Sequence, residues 1–204
     1  SIQWPCEFPG AHWLGEEEER AVLDVLRSRA LFRHYGPSKP KYVDALEAAA
    51  REFYGVRYAL AVNSGSGALC TAMAALGIGP GDEVIIPSFM WVATVAAVVQ
   101  ANAIPVVCEV DDSFTMSPAD LEKKITRRTR LILPVHMAGS PCDMERIMAI
   151  AAQHGLPVLE DVAQANGGTF RGRKLGAFGA MGIFSFQLNK NATAGEGGLI
   201  ITQD

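Results

Sequence analysis

Residues 58–76 read YALAVNSGSGALCTAMAAL, and this stretch indicates the class of fold. The run at 58–62 is short and largely apolar, which predicts a buried β-strand. Residues 63–67 are rich in glycine and serine and predict a turn, and the small and apolar residues at 67–76 predict a helix. A strand that passes through a tight turn directly into a helix is the unit from which parallel α/β sheets are built.

The same alternation continues along the rest of the chain. Further strands are predicted at 83–86, 104–107, 130–135, 157–159, 182–186 and 199–202, and further helices at 91–101, 117–125 and 143–154. Because these strands are apolar on both faces, helices must cover both faces of the sheet. We therefore predict an α/β fold over residues 56–204, with three layers (α/β/α) and a mainly parallel seven-stranded sheet. Earlier helices at 15–26 and 42–54 predict an N-terminal helical segment, residues 1–55, that packs on this domain.

Composition excludes several classes of protein. The chain has 204 residues, of which 49% are hydrophobic and 20% are charged, so it is not intrinsically disordered. A formal net charge of −4 provides no general attraction for nucleic acid or an anionic membrane. Apolar runs such as 92–99 are too short to span a bilayer, and residues 1–5 do not have the pattern of a signal peptide. We expect a soluble, cytoplasmic protein with neither nucleic acid nor membrane as a partner.

The four cysteines do not suggest a metal site. Cys6, Cys70, Cys108 and Cys142 include no Cys-x-x-Cys pair and have no histidine at ligand spacing. We predict that they are small hydrophobic residues in a reducing compartment.

Ligands of parallel α/β sheets bind beyond the carboxyl ends of the strands, and three features lie there. They are the Gly/Ser-rich turn at 63–67, the acids Glu160 and Asp161, and Lys190. Each has an ordinary explanation, as a serine-capped turn, a helix-capping acid or a solvated lysine. Together they would provide an anion cradle, an acid for a cationic ring nitrogen and a desolvated amine. Pyridoxal phosphate (PLP), a phosphorylated aldehyde with a basic ring nitrogen, requires all three.

An ordered set of motifs carries a resemblance to a known family over essentially the whole chain. These are GIGPGDEVI at 77–85, PSFMWVAT at 87–94, PVH at 134–136, EDVAQ at 160–164, and FSF at 184–186 followed by Lys190 and GEGG at 195–198. In this set the chain resembles the DegT/StrS-type PLP-dependent sugar aminotransferases, a branch of the aspartate aminotransferase fold. The resemblance implies that Lys190 is the Schiff-base lysine and proton carrier, that Asp161 pairs with the pyridinium nitrogen, and that Gln164 contacts the ring hydroxyl.

The resemblance also implies how the rest of the cofactor is held. Gly65, Ser66 and Ser185 match phosphate-binding positions, and Trp91 matches an aromatic residue that stacks on the cofactor ring. Without the resemblance, Trp91 would be interpreted as a core tryptophan.

Three positions depart from the family pattern, which affects the expected substrate preference more than the chemistry. They are Met90, Ala138 and Asn189, where a threonine, an aromatic residue and a small hydroxyl residue are common. Three further side chains are candidates to line the site: His34, Tyr35 and His136. For His136 a purely structural role is an equal alternative.

By resemblance, the function is transfer of an amino group from glutamate or glutamine to a keto-sugar or keto-cyclitol in a cytoplasmic homodimer. By the same resemblance, the early helices and the linker at 32–35 suggest a dimer, because relatives build each active site from two subunits. Family members continue after 195–198 into a smaller C-terminal domain, so a fragment of a longer enzyme is expected. Alternatives are a sugar dehydratase, in which relatives replace the lysine, and a non-catalytic subunit. A nucleotide-binding Rossmann domain is disfavoured because its glycine fingerprint is missing.

Overall fold

A computed structural model describes residues 8–33 and 42–204. The helices of this part are α1 (Glu16–Ser28), α2 (Tyr42–Tyr54), α3 (Gly65–Ala75), α4 (Val92–Gln100), α5 (Pro118–Lys124) and α6 (Met144–His154). Its strands are β1 (Tyr58–Val62), β2 (Glu83–Pro87), β3 (Ile104–Cys108), β4 (Thr129–Ile132), β5 (Leu159–Asp161), β6 (Thr169–Phe170), β7 (Arg173–Lys174), β8 (Met181–Ser185) and β9 (Gly198–Thr202). The alternation of strands and helices confirms the α/β class.

Seven of the described strands form two adjacent sheets, one parallel and one mixed, and β6 and β7 pair as a separate hairpin. One sheet has the order β3-β2-β4 and the other β1-β9-β8-β5. Two isolated parallel bridges, Ile132 with Val158 and Val135 with Asp161, connect their neighbouring edges. β9 pairs antiparallel with both β8 and β1. The predicted mainly parallel arrangement is therefore wrong at this end, because the connection at 186–197 has no helix to return the chain for a parallel crossover.

Apolar side chains alternate between the two faces of the strands, and helices cover both faces of the sheets. Val84 and Ile86 pack in one buried cluster with residues of α3 and α4. Ile85, between them, packs on the opposite face with residues of α5 and α6. Phe184 of β8 joins a third cluster that includes Ala50 of α2. The three-layer arrangement follows from this alternation, since successive side chains of a strand point to opposite faces.

Two details around β5 differ from prediction. The strand was predicted at 157–159, but hydrogen bonding places it at Leu159–Asp161, so both acids belong to the strand itself. The short β6–β7 hairpin was not predicted, because two residues per strand are too few to show a periodicity. Its turn places Arg171 and Gly172 at φ values of 48° and 81°.

The N-terminal segment contacts the sheet through charged and backbone groups. Arg33 donates to Glu47 on α2, and Glu47 in turn accepts the N–H of Ala61 on β1 at 2.8 Å. His34 and Tyr35, predicted as possible site residues, lie outside the described residues. None of the helices described is long and apolar enough to cross a bilayer. Cys108 and Cys142 are buried and Cys70 is half-buried, all as free thiols, whereas Cys6 lies outside the described residues.

The core on the α3–α4 face should contribute strongly to stability. Leu131 is fully buried there, so we expect Leu131→Ala to lower the free energy of unfolding by about 2–5 kcal/mol. Val99 on α4 is 57% exposed, and Val99→Ala should change the free energy of unfolding by less than about 0.5 kcal/mol. Urea unfolding followed by circular dichroism measures both. Equal effects of the two substitutions would contradict the assignment of this core.

Candidate cofactor site

The carboxyl ends of the central strands open into a cavity of about 810 Å³. Asp161 is the last residue of β5, Ser185 is the last residue of β8, and Gly65 begins α3 after β1. The cavity lining includes all seven residues predicted for the site: Gly65, Ser66, Trp91, Asp161, Gln164, Ser185 and Lys190. Residues separated by up to 125 positions are thus brought to one sheet edge, as the rule for parallel sheets predicts.

The first turn of α3 has the geometry of an anion site. Ser64 caps the helix, and its hydroxyl accepts the N–H of Gly67 at 3.0 Å. Gly65 and Ser66 are the first two helical residues, whose N–H groups have no partner within a helix. A Cβ at Gly65 would lie 2.8 Å from Cβ of Ser185, so only glycine allows α3 to approach β8 this closely. The N–H groups of this first turn, the helix dipole and two serine hydroxyls suit a phosphate.

Asp161 is a buried carboxylate at the cavity wall. Its Oδ2 accepts the hydroxyl of Thr94 at 2.8 Å, and its Oδ1 accepts the N–H of Ala163 at 3.1 Å. Burial raises the pKa of Asp161 above its ordinary value, although these two hydrogen bonds and the nearby charge of Lys190 act in the opposite direction. A cationic group placed in the cavity would favour the ionised form of this acid.

Lys190 lines the same cavity from the segment that connects β8 with β9. Burial lowers the pKa of Lys190, while the carboxylate of Asp161 partly counteracts this effect. A half-buried amine with a lowered pKa is more often unprotonated near neutral pH than a solvated lysine, which makes it a better nucleophile and base.

Gln164 and Trp91 complete the predicted set. The side-chain oxygen of Gln164 accepts the N–H of Ala138 at 2.9 Å, which fixes the orientation of its amide. Trp91 stands at the N-terminus of α4 and is 61% exposed. The alternative interpretation of Trp91 as a core residue is therefore wrong, and its ring is available to a ligand.

His136 and Glu160 form a structural pair outside the cavity. His136 is fully buried, with its Nε2 3.3 Å from Glu160 and its Nδ1 accepting the N–H of Cys142. Since Nδ1 accepts a hydrogen bond, Nε2 carries the proton and donates to Glu160. Glu160 also accepts three backbone N–H groups, from Gly176, Phe178 and Gly179. The structural alternative for His136 is thus the one that the structure supports.

Thr94 is a site residue that sequence reasoning missed. It is buried in α4 and donates its hydroxyl to Asp161 across 67 positions of sequence. The sequence does place a threonine in the first turn of a helix that follows a strand. The residues around it do not indicate which side chain its hydroxyl contacts.

Comparison with known proteins identifies the family of this chain. Residues 13–204 match the sequence model of the DegT/DnrJ/EryC1/StrS aminotransferase family. The chain belongs to this family. It is 45% identical over 204 residues to the L-glutamine:2-deoxy-scyllo-inosose aminotransferase of Streptomyces fradiae, covering 98% of this chain and 46% of the relative.

Two further matches extend the comparison. The UDP-N-acetyl-3-dehydro-alpha-D-glucosamine 3-aminotransferase of Acidithiobacillus ferrooxidans is 49% identical over 162 residues, which cover 78% of this chain and 44% of the relative. A Streptococcus pneumoniae protein solved in a PLP form superimposes with a TM-score of 0.86 at 28% identity, over 94% of this chain and 51% of that one. The chain therefore spans about half the length of the relatives it matches.

The residues that line the cavity fit PLP. The close approach of Gly65 to Ser185 leaves a cradle of donors for the phosphate, and the buried carboxylate of Asp161 lines the same cavity as the amine of Lys190. Each chemical group of the cofactor thus has a candidate partner of suitable charge.

The hydroxyl of Thr94 should hold down the pKa of Asp161. Thr94→Val removes the O–H donor with little change in shape, so we expect the pKa of Asp161 to rise further. Carbon-13 NMR of labelled aspartate carboxyls across pH measures this in the cofactor-free chain. Thr94→Ser keeps the hydroxyl and should leave the pKa near that of the starting protein; an unchanged pKa in Thr94→Val would contradict the assigned role.

Burial of Asp161 should cost stability at neutral pH. Because its folded-state pKa is raised, the stability contribution of the protonated acid is present below its ordinary pKa of about 3.9 and is lost as pH rises through the folded-state pKa. In the cofactor-free chain, Asp161→Asn should therefore become more stable than the starting protein as pH increases. Urea unfolding at pH 5, 6, 7 and 8 tests this, and a difference that shrinks with pH would contradict it.

Proposed function

We propose that the chain supplies the PLP-binding part of an aminotransferase that moves an amino group to a keto-sugar or keto-cyclitol. In this proposal residues 56–204 are the PLP-binding domain and residues 1–55 pack on it. The observation that carries the proposal is that Asp161, Lys190 and the start of α3 line one cavity. The substrate class is supported by the names of two relatives, one acting on an inosose and one on a dehydro-glucosamine nucleotide.

Each part of the cavity has a binding task. PLP supplies an electron-poor ring that stabilises negative charge on a substrate carbon. The N–H groups of Gly65 and Ser66, together with the hydroxyl of Ser185, would hold the phosphate. Asp161 would accept a hydrogen bond from the ring nitrogen and keep it protonated, and the positive charge of that nitrogen would in turn keep Asp161 ionised.

The remaining contacts would orient the ring. The amide of Gln164, fixed by Ala138, would contact the ring hydroxyl, and the exposed indole of Trp91 would stack on the ring face. Thr94 would act through Asp161 by fixing the direction of its carboxylate.

Lys190 would carry the cofactor and then move a proton. Burial lowers the pKa of Lys190, which favours the unprotonated amine relative to a solvated lysine, so Nζ would accept a proton from the donor amino acid and return it to a neighbouring carbon. A sugar dehydratase, in which this lysine is replaced, is disfavoured by the presence of Lys190 in the cavity.

The cavity also suits a hydroxyl-rich substrate. Gln187, Asn189 and Glu196 line it and can donate to or accept from hydroxyl groups. Glutamine or glutamate is proposed as the amino donor, since one relative is named for glutamine. A cytoplasmic homodimer is also proposed, and the exposed side chains of Phe89 and Phe114, whose ring centroids lie 6.2 Å apart, would favour association of two copies.

Removal of the amine of Lys190 should abolish the reaction. We expect Lys190→Ala to lower the aminotransfer rate at least about a hundredfold, because a positioned acid–base group contributes this much or more. It should also remove the visible absorption band that forms when PLP is added. Lys123 is an exposed residue of α5, so Lys123→Ala is a matched control that also removes one amine. It should change neither the aminotransfer rate nor the absorption band.

Borohydride reduction followed by peptide mass mapping locates the amine directly. The proposal requires the cofactor to be trapped on Lys190. A label spread over surface lysines, or a near-normal rate in Lys190→Ala, would contradict it.

A further inference from the structure

The backbone around Lys190 is held by other segments rather than by regular secondary structure. Lys190 lies in the connection at 186–197, which contains neither helix nor strand. Within this connection the N–H of Lys190 donates to Gln187, and the N–H of Ala194 donates to Phe186. These short bonds shape the loop but do not fix where it lies relative to the cavity.

One external anchor comes from the N-terminal segment. The N–H of Gly10 donates to the backbone oxygen of Lys190 at 3.0 Å, and Pro9 lines the cavity. A Cβ at Gly10 would lie 2.6 Å from that oxygen and 3.1 Å from Cγ2 of Thr193. Gly10 has φ −66° and ψ −35°, which any residue adopts. Close contact with the Lys190 loop, and not backbone conformation, is therefore what requires glycine here.

A second anchor comes from the segment after β5. The side-chain amide of Asn191 donates to the backbone oxygen of Asn166 at 3.0 Å. The side-chain amide of Asn166 donates to the backbone oxygen of Ser185 at 2.9 Å. The side-chain oxygen of Asn166 is buried without a partner among the described residues. These bonds connect the residue beside Lys190 to the end of β8, where the phosphate cradle begins.

We propose that Gly10 and Asn191 are positioning residues that together fix the Lys190 backbone relative to the cavity. This inference rests on the proposed function of Lys190. Two anchors from separate segments restrict both the carbonyl of Lys190 and the residue that follows it. A displacement of about 1 Å in a reacting group costs on the order of a hundredfold in rate, so Gly10 would affect catalysis through the position of Lys190.

The test compares the rate at which PLP labels Lys190 in Gly10→Ala with the rate in the starting protein. The chain is mixed with PLP, reduced with borohydride at short times, and mapped by mass spectrometry to give labelling rates at Lys190 and at the exposed Lys123. Gly10→Ala should lower the rate at Lys190 at least about tenfold and leave Lys123 unchanged. The control is Gly15→Ala in the same segment, where the nearest atom to an added Cβ is 3.9 Å away; it should match the starting protein.

A second readout separates positioning from general destabilisation. Acetylation of the cofactor-free chain by acetic anhydride, followed across pH, reports the pKa of Lys190, which Asp161 and burial set. In Gly10→Ala this pKa should rise towards the ordinary lysine value as the loop moves into solvent. Asn191→Ala, which removes the second anchor without a steric clash, should shift both readouts in the same direction and keeps the test decisive if Gly10→Ala does not fold.

The outcomes are distinct. The positioning role would be overturned if the labelling rate and the pKa of Lys190 were unchanged in folded Gly10→Ala, or if both were unchanged in Asn191→Ala. Either result would leave the function of Lys190 intact. Absence of selective labelling of Lys190 in the starting protein would overturn the proposed function, and this inference with it.

Discussion

The arrangement of the site depends on the buried carboxylate of Asp161. The backbone of this residue joins the two sheets, since its N–H donates to Pro134 and its oxygen accepts the N–H of His136. Its side chain lies at the cavity, where it is stabilised by Thr94 and Ala163. A charge taken out of water is costly unless it is paired. The cavity thus has a built-in affinity for a cation, and the cationic ring nitrogen of PLP is the partner that we propose.

The neighbouring acid shows how one strand serves two purposes. Glu160 and Asp161 are adjacent, and the alternation of a strand sends their side chains to opposite faces. Glu160 is saturated by His136 and by three N–H groups of the turn before β8. It holds β5 against that turn, which keeps Asp161 in place. Of these two consecutive acids, Glu160 therefore has a structural role and Asp161 faces the cavity, although both carry a carboxyl group.

Much of this arrangement could be predicted from the sequence because it depends on local patterns. The order of helices and strands follows from apolar runs and turns, and the rule that strand ends meet at one edge brought Gly65, Asp161 and Lys190 together. The contacts of Thr94 and Gly10 could not be predicted, since each joins segments far apart in the chain. The antiparallel pairing of β9 was also missed, because an apolar strand has the same composition in either direction. Only the connection before it determines its direction.

The protonation state of the PLP ring nitrogen is the most direct test of the role proposed for Asp161. PLP labelled with nitrogen-15 at the ring can be bound to the chain and followed by NMR from pH 6 to 9. Because Asp161 lies buried at the cavity, we expect the ring nitrogen to stay protonated over this range in the starting protein and to lose its proton in Asp161→Asn. A nitrogen that is unprotonated in the starting protein, or that titrates identically in both, would contradict the central role of this carboxylate.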